Sequence, residues 1–386
     1  MVLSAANNIT KIRFLIFTLF LFCLPLLGNA LRVTNLFHIA FGLFLLSLLI
    51  NRPFRQQLLS DRDLLTGIAA AGLFLGYFSL SNLWSDNPGN FSSTFKHSFY
   101  ILVFVVLFTH LNRKLSYSVL FASIVILCLL TFWYVDKTHF LTKRLAKGFF
   151  AAPDNVIDLA GYFGLGIFFG LMLIRETGRH VFYVPVAVLF IAMLLTQSRG
   201  PILALLVSCL LLLLRFHKGH IRHLLITFAI IMGVALLAYF THYSDELIAR
   251  FIASYNQSFV RFGIWAHTLE VALQKPVFGW GFDKQLTFTN SIGQHIHTTH
   301  SVYFSTLLKG GFAGLFFLLI MVGYGLHRAR LHYKHGGELE ACIYCFSLLF
   351  YLTQGMFVIG NPDIYWVMFW LPYAVVLAPY ARPIKE

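Results

Sequence analysis

Residues Thr298–Gly314 read TTHSVYFSTLLKGGFAG, and the apolar run they open continues to about residue 326. A polar entrance leading at once into a long apolar stretch is the start of a membrane helix. Thr299 or Ser301 is placed to cap that helix, which sets His300 at its N-terminus. The free N–H groups there favour an anion and disfavour an imidazolium, so a neutral His300 beside a phosphate site is a candidate base. Read alone, the same residue is also a boundary histidine that bonds only to water or headgroups. The rest of the chain has to decide.

Composition settles the class. Of 386 residues, 58% are hydrophobic and 11% charged, a balance that soluble domains do not carry. The chain reads as an all-α polytopic membrane protein, because a helix satisfies its own backbone in lipid. About twelve transmembrane helices are expected, near 11–28, 31–50, 64–81, 98–111, 116–134, 157–174, 181–196, 201–215, 222–240, 301–326, 339–358 and 363–380. The first run is read as a retained helix and not a signal peptide. The organisation is an N-terminal bundle of about nine helices (1–240), a long outer loop with an interfacial helix (241–300) and C-terminal spans (301–386), in one integral membrane domain.

The net charge of +14 is scattered among short loops, with no basic domain to hold a nucleic acid; anionic membrane lipids and phosphorylated lipid substrates are the natural partners. Cys342 and Cys345 form a CxxC pair one turn apart in an apolar helix without a second pair, and read as small packing residues. With the N-terminus inside, 17 of the 29 Lys and Arg residues fall inside, nearly all in short loops. Both termini are therefore expected in the cytoplasm.

That orientation gathers the polar candidates outside, in segments 82–97, 135–156, 197–201, 241–300 and 359–363. SFVRFGIWAHTLEVALQKP (258–276) is a helical stretch with Phe259, Phe262, Trp265 and Leu269 available to one apolar face and Arg261 near headgroup level. Arg199 lies in the polar turn of LLTQSRGPILALL, where Gly200 lets the chain come close to an anion. Lys137, Lys143, Arg144 and Lys147 go against the inside bias, and an outer anion would compensate them. Asp363, in GNPDIYW, orients His300 or an arginine, or caps the last helix; the cap is the preferred reading. His295, His297 and His300 do not follow a common zinc spacing, and no metal or other cofactor is expected. Asp61-Arg62-Asp63, the carboxylate pair a nucleotide-sugar enzyme would want, falls on the inner side.

Ser198-Arg199-Gly200-Pro201-Ile202-Leu203 resembles the arginine-three-residues-leucine motif of bacterial O-antigen ligases. His300-Ser301, nine residues, then Gly311-Phe312-Ala313-Gly314 resembles their second motif, and Arg261, Trp265 and PVFGWG (276–281) are similar to their outer-loop arginine segment. The resemblance runs from about residue 190 to 380. It implies a metal-independent inverting membrane glycosyltransferase of GT-C type in the bacterial inner membrane, with its active site facing the periplasm. Such an enzyme moves a glycan from undecaprenyl pyrophosphate to lipid A–core oligosaccharide in lipopolysaccharide biosynthesis. Arg199 and Arg261 are then assigned to the pyrophosphate, His300 to the acceptor hydroxyl, and Ser301, Lys137, Lys143, Arg144, Lys147 and Asp363 to substrate binding.

Two other readings remain. A polymerase of the same superfamily would join repeat units on the lipid carrier. A transporter of an anionic lipid or solute would keep arginines among its helices, but with internal repeats and broken helix pairs that this sequence lacks.

Overall fold

The computed structural model describes residues 2–136, 144–146, 148–213, 260–289, 293–355 and 357–380. The expected span 222–240, Phe259, and Lys137, Lys143 and Lys147 lie outside them. The chain is predominantly helical: α1 (Val2–Leu27), α2 (Thr34–Ile50), α3 (Arg52–Ser60), α4 (Arg62–Leu80), α5 (Phe91–Thr109), α6 (Arg113–Tyr134), α7 (Val156–Thr177), α8 (Tyr183–Leu195) and α9 (Arg199–Leu213) come first. Then follow α10 (260–273), α11 (Val302–Lys334), α12 (Glu338–Phe350) and α13, a π-helical turn Trp366–Trp370 running into Leu371–Leu377. Among the described residues six helices are long and apolar enough to cross a membrane, or seven if α2 and α3, bent by 97°, count as one. α8, α9 and α13 are shorter apolar helices.

α7 is the most buried of the long helices because its glycines admit large neighbours. The Phe346 ring packs on Gly164, Met368 on Gly161, and Phe121 and Val186 on Gly170. In the same core, Trp366 sits 4.9 Å from both Phe37 and Phe104, ring centre to ring centre. The indole N–H groups of Trp366 and Trp370 donate to the carbonyls of Gly360 (3.2 Å) and Val358 (2.6 Å), so α13 holds the turn that precedes it. Pro372, which has no N–H, follows the π-helical turn directly.

Four features depart from the sequence reading. Residues 351–355, expected to be helical, form a turn in which Gly355 has φ +86°. α11 runs on to Lys334, past the expected end at 326, because its basic tail is buried: Arg328 pairs with Asp63, and His332 bonds to the carbonyls of Val376 and Ala378. The outer segment contains a small antiparallel hairpin, β1 (Phe288–Thr289) with β2 (His295–Ile296), so the fold is not purely helical. α10 packs through Ile264, Thr268 and Ala272, while Phe262 and Leu269, expected on its apolar face, stay 60% and 40% exposed. That uncovered stripe is what an interfacial helix presents to lipid.

The connections sort into two ends. At one, Asn29 bonds to Ala151, Ser85 and Asn90 to Asp283, His97 to Asn361, and Arg144 to Thr196 and Ser198. At the other, Glu340 is fully buried and accepts from Arg113 and Arg175, the latter at 2.5 Å.

Candidate active site

His300 has φ +48°, and among the described residues Gln197, at +52°, is the other non-glycine with positive φ. Each left-handed residue costs about 1–2 kcal/mol, so the surrounding structure must impose it. One of them belongs to the His300 motif and the other lies two residues before Arg199.

The strain at His300 arises from what surrounds it. The Ser301 carbonyl accepts from the Thr299 hydroxyl at 2.7 Å, and Trp265 of α10 donates its indole N–H to the Thr299 carbonyl at 3.0 Å. The first N–H of α11, at Val302, donates to the Tyr351 carbonyl at 3.1 Å. Neither Thr299 nor Ser301 caps α11 with its side chain, contrary to the sequence reading. Ser301 is fully buried, and its Oγ has no hydrogen-bond partner among the described residues.

His300 lines a cleft of about 170 Å³ with Asn155, Asp158, Thr298, Tyr351, Gln354 and Tyr365. Gln354 donates to Asp158 at 3.2 Å. Asp363, two residues before Tyr365 at the start of the last helix, accepts the Tyr365 N–H at 2.9 Å, which is the expected cap. Burial pushes its carboxyl up to about 7, with the nearby charge of Asp158 adding.

Arg261 lies one helical turn before Trp265 and so on the side of α10 that faces the Thr299–His300 loop. Burial lowers the pKa of both Arg261 and His300, and the Arg261 charge lowers His300 further. Both effects favour the neutral imidazole. Arg199 begins α9 and is exposed; Gly200 beside it packs so closely on Thr353 that an added Cβ would lie 3.1 Å from the threonine hydroxyl. The Arg199 turn thus adjoins the turn that carries Gln354 into the cleft. Arg144 donates through Nε and Nη2 to Thr196 and Ser198, each at 2.9 Å, and so buttresses that turn.

The two motif glycines have a packing role. Gly311 breaks α11 with φ +60°, and the 276–281 loop docks into the break: Phe312 and Ala313 donate to the carbonyls of Pro276 (2.7 Å) and Val277 (3.0 Å). Trp280 and Gly281 donate to Leu308 and Lys309 (3.1 and 2.8 Å). A Cβ on Gly311 would sit 2.5 Å from the Val277 oxygen, and one on Gly314 2.8 Å from the Phe78 ring. Buried Lys309 donates to the Phe282 carbonyl beside this joint.

Residues 184–319 match the family model described as O-antigen ligase. That match contains Arg199, Arg261, His300, Gly311 and Gly314. An O-antigen ligase of Pseudomonas aeruginosa is 27% identical over 184 residues, which is 47% of this chain. Over residues 184–319 the chain is similar to the O-antigen ligase family. The match covers 43% of the Pseudomonas aeruginosa protein, so the chain spans less than half of that curated relative.

Asp158, Gln354, Tyr351 and Tyr365 line the cleft without standing out as site residues in the sequence. Asp158 carried a signal, being an acid one turn into a very apolar helix. Gln354 carried none once its segment was read as membrane helix. Among the described residues no group of three or more His, Cys, Asp or Glu side chains is arranged to hold a metal ion.

Proposed function

We propose that this protein transfers a glycan from undecaprenyl pyrophosphate to a lipid A–core acceptor at the periplasmic face of the inner membrane. In this reading it is a twelve-span GT-C-type enzyme with both termini in the cytoplasm and segment 241–300 on the periplasmic side. The observation that carries the reading is the placement of His300 in one cleft with Asp158, beside Arg261 and the Arg199 turn.

The acceptor hydroxyl oxygen attacks the anomeric carbon while the carbon–oxygen bond to pyrophosphate breaks, and the configuration inverts. His300 takes the hydroxyl proton, and Asp158 compensates the imidazolium that results. Pyrophosphate leaves with the bonding electron pair. It needs charge neutralisation more than a proton, and the guanidinium forks of Arg199 and Arg261 supply it. Arg144 shapes the Arg199 turn; Ser301, Asp363, Lys137, Lys143 and Lys147 complete the substrate-binding set.

The test is a reconstituted assay with lipid-linked glycan and lipid A–core offered separately and together. Glycan appearing on the core only when both are present supports the ligase. Chain growth on the lipid carrier without core would make the protein a polymerase, and glycan movement across the bilayer without bond formation would make it a transporter.

A further inference from the structure

The end of the bundle away from His300 holds a second cleft, of about 400 Å³, lined by Arg13, Asn51, Phe54, Gln57, Asp61 and His110. Arg13 is 1% exposed, and its Nε and Nη1 are buried without a hydrogen-bond partner among the described residues. Its guanidinium lies 4.2 Å from the centre of the Phe54 ring and 4.9 Å from that of Phe14. Arg328, also buried, has Asp63, and the half-buried Arg113 and Arg175 share Glu340. Among the described residues no carboxylate pairs with Arg13; Asp61 is committed to capping α4, accepting the Leu64 N–H at 2.9 Å.

A buried guanidinium without a counter-charge is costly to the fold, and an anion in this cleft supplies both the charge and the acceptors. The other lining groups suit one. His110 engages the Val106 carbonyl through Nδ1, which leaves Nε2 uncommitted, and Asn51 uses only its Oδ1 to cap α3. Lys11, Arg52 and Arg55 are exposed at the same end.

We propose that this cleft binds a phosphate group, with Arg13 as its principal ligand and His110, Asn51 and Gln57 around it. Two sources share that chemistry: an anionic lipid headgroup and free phosphate. The lipid is favoured because α3 bends 97° from α2, with Arg52 and Arg55 exposed and Phe54 and Leu58 turned to the core. That is the posture of a helix lying in a membrane interface.

The experiment measures the thermal midpoint and native mass spectrum of the purified full-length protein. It is titrated with short-chain phosphatidylglycerol, with short-chain phosphatidylcholine and with inorganic phosphate. A saturable rise of the midpoint with phosphatidylglycerol alone assigns a lipid headgroup; an equal response to inorganic phosphate assigns the free anion. Arg13→Met weakens the response at least about tenfold. Asn51→Asp provides the control for folding: Asp caps α3 as Asn does, but adds a second carboxylate to that of Asp61 in the cleft, which weakens phosphate binding. No response in the wild type, or equal affinity in the wild type and Asn51→Asp, overturns the proposal.

Discussion

Trp265 donates its indole N–H to the carbonyl of Thr299 at 3.0 Å and stacks on Phe304 at 5.2 Å, so α10 is fastened to the two sides of His300. Arg261 is carried on α10 and His300 follows Thr299, and this joint sets their separation. Trp265→Phe keeps a ring on Phe304 and loses the hydrogen bond. Transfer is expected to fall about 2–10-fold, the range of one net hydrogen bond, while the protein remains folded. Wild-type transfer in this variant would remove the joint from the account.

The pH profile follows from the same pair. Burial, and secondarily Arg261, hold His300 below its usual value of 6.5. The base is competent above that depressed pKa, and activity is lost as pH falls through it. Arg261→Gln removes the cationic contribution, so the pKa rises and the acid limb of the residual activity moves to higher pH. An unmoved limb, or one shifted to lower pH, would show that Arg261 does not act on His300.

Arg199→Lys keeps the charge at the start of α9 but not the two-pronged donor. Donor affinity is expected to fall about tenfold or more, as for a lost charge-assisted hydrogen bond. Binding of purified protein to undecaprenyl pyrophosphate checks this, and unchanged affinity would take Arg199 off the pyrophosphate.

Gly311→Ala tests the joint between α11 and the 276–281 loop. The added Cβ meets the Val277 carbonyl in a backbone conformation that alanine resists by about 1–2 kcal/mol. The loop should undock, which limited proteolysis reads as new cleavage within residues 274–284, and transfer should fall with it. An undisturbed cleavage pattern would mean that the break in α11 accommodates a side chain.

Much of the fold was legible because charge and apolar length are read directly in a membrane protein. The two sets of connections placed on opposite faces by alternation are the sets that bond to one another, as His97 does to Asn361 and Arg328 to Asp63. The cleft was half legible. His300, Arg199 and Arg261 stand out because polar groups at membrane boundaries are costly to keep. Gln354 and Tyr351 did not, since YLTQGMFV has the composition of a span, and only Gly355 hints at the turn that delivers them. The expected Ser301 side-chain cap is not formed, and the first N–H of α11 goes instead to the Tyr351 carbonyl, a partner 49 positions away that no local pattern announces.

The central claim is that His300 moves a proton and the arginines hold the donor. It is tested most directly by measuring donor binding and glycan transfer separately on equal amounts of purified His300→Ala. Donor binding should stay at the wild-type level, while transfer falls about 10²–10⁴-fold, the contribution of a positioned acid–base group. Full transfer by His300→Ala would contradict the claim, and weak donor binding with normal chemistry would move His300 to the phosphate side of the site.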